Sequence, residues 1–226
     1  MSNGANTDQF DKEITDGAVD EVATPAEHYY TAKPTGEKKI ENTFRFTIGP
    51  LVCFFKTASG MFSLDHVDIG SAVLIKYAHV EPNWHILDLG CGYGPVGIFL
   101  KKKEPSLKIT MSDINERATE YAMKNVMRNK LDHKDIKIKT GEGFSQVEGM
   151  EFDAIYLNPP HSAGKKLCLS LIEQAKDYLK VGGSLQIVAR KSKGGLPLAN
   201  FMEEHFGNIK VLKKKSGFWV WESFRE

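Results

Sequence analysis

The segment Ile86-Leu87-Asp88-Leu89-Gly90-Cys91-Gly92-Tyr93-Gly94 constrains the chain more than any other. It reads as an apolar strand running into a loop of alternating glycines, with an acid just ahead of the first. Glycines 90, 92 and 94 remove side chains where the backbone turns sharply and let a ligand approach closely. A helix starting at Pro95 aims its free N–H groups and the positive end of its dipole at that ligand. Two kinds of ligand use such a loop. Gly92-x-Gly94-x-x-Gly97 also satisfies the dinucleotide pattern, in which the dipole holds a pyrophosphate. Asp88 argues for the other, because an acid repels pyrophosphate but suits the cationic amino-acid end of S-adenosylmethionine, directly or through water.

A second acid supports a nucleoside cofactor. Asp113 ends the strand after Asp88 by about 25 residues, where folds of this kind bind ribose hydroxyls. It is also placed to N-cap a helix starting near Glu116. Further on, Gly141-Glu142-Gly143-Phe144 is either a simple turn or an edge and a face offered to adenine.

The sharper mark is Asn158-Pro159-Pro160-His161, at the end of an apolar strand. Two prolines cannot continue a hydrogen-bonded ladder and fix an extended turn. The side-chain carbonyl of Asn158 and the backbone carbonyl of Pro159 then accept two hydrogen bonds from a planar exocyclic amine. Those bonds hold the nitrogen in line with a methyl donor and drain positive charge as it attacks.

From about residue 40, strand-like and helix-like segments alternate, which predicts an α/β sheet with crossover helices. Strands are expected at 44–48 and 51–56 (a hairpin around Gly49-Pro50), 84–89, 107–112, 136–139, 152–157, 184–189, 209–213 and 217–222. The last two pair antiparallel through Ser216-Gly217. Helices are expected at 72–79, 95–102, from near Glu116 through Val126, at 165–179 with Val181-Gly182-Gly183 as its C-terminal cap, and at 198–206.

The 226 residues carry a net charge of +1, which hides an asymmetry. Residues 1–28 hold seven acids and one base, so the remainder is net positive. Residues 1–25 read as a flexible acidic tail with too few large apolar side chains to order itself, and 26–226 as one domain. Lys101-Lys102-Lys103, Arg190-Lys191-Ser192-Lys193 and Lys213-Lys214-Lys215 are either solvated faces or a polyanion footprint. No apolar run approaches the roughly 20 residues of a membrane helix, and no secretory signal is visible. Three widely spaced cysteines match neither a disulfide framework nor a zinc site, so a reducing cytoplasm is the simplest setting and no metal is expected.

On these motifs the chain resembles class I S-adenosylmethionine-dependent methyltransferases. More closely it resembles the compact single-domain form of the small-subunit ribosomal RNA guanine-N2 methyltransferase family ("methyltransferase small"). The resemblance extends over His28-Tyr29-Tyr30 with Lys33-Pro34, Gly60-Met61-Phe62-Ser63, Asp68-x-Gly70-Ser71, the glycine loop, Asp113-Ile114-Asn115, Asn-Pro-Pro followed by Ala163-Gly164-Lys165, and Phe206-Gly207-Asn208. It implies a doubly wound, seven-stranded, mostly parallel sheet with one antiparallel strand, preceded by a short N-terminal β extension. It places Asp88, Gly90, Cys91, Gly92, Tyr93, Gly94, Asp113 and Ile114 around the cofactor, with Glu142, Gly143 and Phe144 at the base. Asn158, Pro159, Pro160 and His161 then meet the target amine. Phe62, Ser63 and Lys165 are further substrate contacts.

Related amino-methyltransferases often carry Phe or Tyr where His161 stands; imidazole stacks less broadly and can also hydrogen-bond or carry charge. The implied activity is methylation of guanine N2 in ribosomal or other structured RNA. Adenine N6, a protein glutamine amide, and a non-catalytic nucleotide- or RNA-binding module are the alternatives.

Overall fold

The structure is a computed structural model that describes residues 40–160 and 164–226. The expected acidic tail and His161 lie outside the described residues. The chain opens with a hairpin, β1 (Glu41–Ile48) and β2 (Leu51–Ala58), turning at Gly49-Pro50 as expected. It continues through α1 (Ile69–Tyr77), β3 (His85–Leu89), α2 (Pro95–Lys103), β4 (Lys108–Asp113), α3 (Glu116–Arg128), β5 (Ile136–Thr140), β6 (Phe152–Leu157) and α4 (Lys165–Ala175). It closes with β7 (Leu179–Arg190), α5 (Leu196–Phe206), β8 (Lys210–Lys215) and β9 (Phe218–Phe224).

The main sheet has seven strands in the order β5-β4-β3-β6-β7-β9-β8. Strands β3 to β7 are mutually parallel, and β9 runs antiparallel to both β7 and β8. The hairpin and α1, α2 and α3 cover one face; α4 and α5 cover the other. Buried on both faces, β6 is almost wholly apolar. The chain winds outward from β3 to β5, then returns to the other side of β3 at β6. The switch point, where such sheets bind ligands, is therefore the carboxyl end of β3 and β6.

Two local readings of the sequence are corrected. The predicted 165–179 helix ends at Ala175 and passes through a 3₁₀ turn, Lys176–Tyr178, and Val181-Gly182-Gly183 lies inside β7 rather than capping a helix. Here β7 bulges: Phe152 pairs with Leu179, but Ala154 pairs with Ser184. Gly182 has φ +81°, and a Cβ on Gly183 would stand 2.9 Å from the Phe152 carbonyl oxygen. Glycines that serve a bulge and a close backbone approach look, in sequence, like a helix stop. The predicted 72–79 helix begins three residues earlier, at Ile69, because Asp68 caps it by accepting from the N–H groups of Gly70 and Ser71.

The hairpin is fastened by two asparagines of α3. Asn125 accepts from the Lys56 N–H (2.7 Å) and donates to the carbonyls of Lys56 (2.9 Å) and Tyr93 (3.0 Å). One turn on, Asn129 accepts from the Phe54 N–H (2.9 Å) and donates to the Phe54 carbonyl (2.7 Å). Alternate residues of a strand present both backbone groups to the same edge. Carboxamides at i and i+4 therefore pair with the outer edge of β2 as another strand would. Asn125 is fully buried, so its truncation leaves buried groups unpaired. Asn125→Ala should lower stability by about 2–4 kcal/mol, and Asn129→Ala by less, as measured by urea unfolding.

Candidate active site

The parallel register brings the site together. Leu89 pairs with Ser112 on one side and with Leu157 on the other. Gly90, Asp113 and Asn158 are thus level, one residue beyond their pairing partners, on strands about 5 Å apart.

The loop takes its shape from left-handed glycines: φ is +70° at Gly90, +55° at Gly92 and +89° at Gly94. A Cβ on Gly90 or Gly92 would meet nothing within 4 Å, so these two leave open space beside the loop. Gly94 and Gly97 face inward; a Cβ there would lie 2.9 Å from Ile98 and 2.8 Å from Met111 Sδ, respectively. The last glycine of the dinucleotide-like pattern therefore serves helix–strand packing, which both ligand readings require.

Asp88 is buried, and its Oδ2 accepts from the Gly97 N–H at the start of α2 (2.9 Å). Burial pushes its carboxyl up to about 7; the Gly97 bond opposes the shift, and nearby Asp113 adds to it. Asp113 accepts from the Gly92 N–H with Oδ2 (2.7 Å) and from the Asn115 N–H with Oδ1 (2.8 Å). It too is raised by burial, against these two bonds. Asp113 does not cap α3: Asn115 does, accepting from Arg117 and Ala118. Two neighbouring acids, aligned with open glycines, suit a ligand that carries both a cation and hydroxyls.

At β6, the Asn158 carboxamide is oriented from behind. Its Nδ2 donates to Ser71 Oγ (3.1 Å) and faces both oxygens of Asp68 (3.3 and 3.4 Å). A carboxylate only accepts, so the nitrogen must face it, and Oδ1 is turned away as an acceptor. Gly70 allows this approach: a Cβ there would stand 3.4 Å from Asn158 Nδ2 and 3.1 Å from both Asp68 and Phe218. Asp68 and Ser71 are the site residues that sequence reasoning missed. Asp68 is a helix cap; its second role exists only once β6 lies beside α1.

The segment between β2 and α1 crosses this end of the sheet. Asn115 and Arg117 hold the carbonyls of Gly60 and Ser59, and the Tyr93 hydroxyl donates to that of His66 (3.1 Å). Phe62, midway, is 48% exposed, so it is not a core aromatic. Ser63 has φ +55° and spends its hydroxyl on the His66 carbonyl (2.6 Å), which shapes the loop.

Other predicted residues divide by role. The Tyr93 and Cys91 side chains are buried, with Tyr93 packed edge-on to Phe44 and Phe55, so both bring only backbone to the loop. Phe144 is buried and stacked on Tyr178 (4.4 Å between centroids), which corrects its expected role as an adenine platform. Glu142 is exposed and Gly143 and Ile114 are half-buried around the same strand ends. Pro159 and Pro160 are buried, and Lys165 lies in a groove of about 330 Å³ between α4 and α5, lined also by Asn200 and Phe201. The three cysteines are free and buried. Among the described residues no cluster could hold a metal, and no helix is long and apolar enough to cross a membrane.

The raised carboxyl of Asp88 has a consequence for stability. A native pKa near 7, above the ordinary carboxylate value, means the native state holds a proton that the unfolded state releases above about pH 4. That contribution is full below about pH 4 and is lost as pH rises through 7. Asp88→Asn should flatten this part of the profile, measured by urea unfolding between pH 4.5 and 7.5, and leave the same-sign contribution of Asp113.

Comparison with known proteins agrees with this geometry. Uncharacterized protein YbxB of Bacillus subtilis is 36% identical over 197 residues, covering 86% of this chain and 96% of that protein. Ribosomal RNA small subunit methyltransferase C of Mannheimia succiniciproducens is 32% identical over 213 residues, covering 91% of this chain and 61% of that protein. For its Haemophilus influenzae counterpart the share is 48%, so the chain spans about half of these longer relatives. Among solved structures, the 16S rRNA N2 G1207 methyltransferase (RsmC) of T. Thermophilus, in complex with AdoMet and guanosine, superposes with a TM-score of 0.72. The two are 21% identical, and the match covers 85% of this chain and 53% of that one. Residues 53–222 match the Methyltransferase small domain, and the chain belongs to that family of methyltransferases.

Proposed function

We propose that this chain transfers a methyl group from S-adenosylmethionine to an exocyclic amine, guanine N2 of ribosomal RNA. The observation that carries the reading is the clamp of Asp68 and Ser71 on Asn158, which turns a carboxamide oxygen outward level with the glycine loop. Amine transfer needs an acceptor at that place. The names of the longer relatives and of the structural neighbour support ribosomal RNA as the substrate class and guanine N2 as the position.

The residues divide the work. Asp88 and the open space beside Gly90 and Gly92 receive the amino-acid end, and Asp113 accepts from the ribose hydroxyls. Ile114, Glu142 and Gly143 border the base. S-adenosylmethionine supplies an electrophilic methyl on a sulfonium centre. Asn158 Oδ1 and the Pro159 carbonyl accept from the target amine, hold its lone pair toward the methyl and stabilise the positive charge that grows on nitrogen. The buried prolines keep that carbonyl fixed. Phe62 covers the base, His161 is a contact of it on the sequence alone, and Lys165 contacts the nucleic acid.

Labelled methyl transfer to small-subunit ribosomal RNA, followed by nucleoside identification, tests the reading. The product should be N2-methylguanosine; N6-methyladenosine, or label in protein, would overturn the base or the substrate class. Asn158→Ala should lower kcat by about 10²–10³ while S-adenosylmethionine affinity stays within a few-fold. Asp113→Ala should instead weaken S-adenosylmethionine binding by about 1–3 kcal/mol, read by calorimetry.

A further inference from the structure

Two basic runs, far apart in sequence, converge at one edge of the sheet. Arg190 lies opposite Phe218 on β9, and Phe218 lies opposite Lys215 on β8, so the end of β7 and the β8–β9 turn form one rim. Cations along it sit over aromatic rings. Arg190 is 5.0 Å from the Phe218 ring, and Lys191 and Lys214 flank Trp219 at 4.7 and 4.1 Å. On the other face, Lys213 and Lys76 lie 4.7 and 5.4 Å from the Tyr77 ring. Trp219 and Tyr77 are half-buried, and Lys191 and Lys214 are exposed. Among the described residues, no carboxylate pairs with Arg190, Lys191, Lys213 or Lys214.

Lysines on an edge strand also discourage edge-to-edge pairing. That role explains neither Arg190, which ends the interior strand β7, and Lys191, which follows it, nor the placing of cations over rings on both faces. It is also indifferent to where the rim lies, whereas this rim is joined to the site. Phe218, beneath Arg190, and Asn158 border the same small space: a Cβ on Gly70 would stand 3.1 Å from the Phe218 ring and 3.4 Å from Asn158 Nδ2. From β6 to β8 is three strand spacings, about 14 Å.

We propose that this rim of Arg190, Lys191, Lys213 and Lys214, with Trp219 and Tyr77, is the docking surface for the phosphate backbone of an RNA whose target base enters beside Asn158. This deepens the proposed function and rests on it for the identity of the target base. Charge complementarity selects the occupant. Uncompensated cations fixed on aromatic surfaces suit a polyanion, and the half-buried rings of Trp219 and Tyr77 suit unstacked bases.

The test uses the full chain and protein-free small-subunit ribosomal RNA, with filter binding between 50 and 200 mM salt. The triple variant Lys191→Gln/Lys213→Gln/Lys214→Gln should bind this RNA at least tenfold more weakly at low salt, and its log–log salt slope should be shallower by about 2. S-adenosylmethionine affinity and Tm should be unchanged. If the triple variant loses Tm, the single variants Lys191→Gln and Lys214→Gln, at exposed positions, should each reduce the slope by about 1. Wild-type chain that binds RNA with the same affinity and slope as these variants would overturn the rim while leaving the proposed function standing. RNA binding that depends on the rim without methyl transfer would overturn the proposed function and leave the rim. Binding to anionic vesicles but not to RNA would overturn the rim as an RNA surface.

Discussion

Three carboxylates held by backbone N–H groups organise the reactive end of the sheet. Asp88 ties β3 to the start of α2, Asp113 ties β4 to the glycine loop, and Asp68 caps α1 while facing the amide of Asn158 at β6. Each sits where a helix or turn leaves donors without intrahelical partners, so the acid satisfies groups that would otherwise need water. The cost shows in Asp88 and Asp113, both of which burial pushes toward neutrality. A cation beside these acids would oppose that shift and favour their ionised forms. Preorganisation and ligand choice therefore come from the same contacts.

The hairpin makes this arrangement independent of the sheet's own edge. Phe44, Phe46 and Phe55 pack over Tyr93 and Phe99, while Asn125 and Asn129 satisfy the outer edge of β2. Asn125 also holds the Tyr93 carbonyl, so one carboxamide joins hairpin, helix and glycine loop. The Tyr93 hydroxyl then anchors the crossing segment through His66. Loosening α3 would be felt at the cofactor loop without any change in the residues that face the ligand.

Strand positions, the glycine loop and the Asn-Pro-Pro turn were legible in the sequence because each rests on local chemistry: apolar runs, positive φ and missing N–H groups. The β8–β9 turn was legible for the same reason, with Ser216 and Gly217 both at positive φ. The bulge at Gly182-Gly183 was not, since a glycine pair near the end of a helical pattern marks a cap as readily as a bulge. Phe144 was misplaced because its partner Tyr178 lies 34 positions away and arrives through α4 packing. Asp68 was read neither as the cap that starts α1 at Ile69 nor as the group that sets the orientation of Asn158. Long-range pairing turned a local signal into a functional one.

The charge pattern of the folded chain gives the two halves of the sheet different tasks. On the β3–β4 side, buried Asp88 and half-buried Asp113 line the loop and suit a cationic ligand better than a phosphate. On the β7–β8 side, Arg190, Lys191, Lys213 and Lys214, which pair with no carboxylate among the described residues, crown the strands. Asn158 stands on β6, between the two. On the proposed docking, acids beyond Asn158 would disfavour a phosphate there, which leaves a neutral base as the part that advances to Asn158. Register thus does two things at once: it sets Asn158 level with the glycine loop, and it sets it between the acids of β3 and β4 and the cations at the ends of β7 and β8.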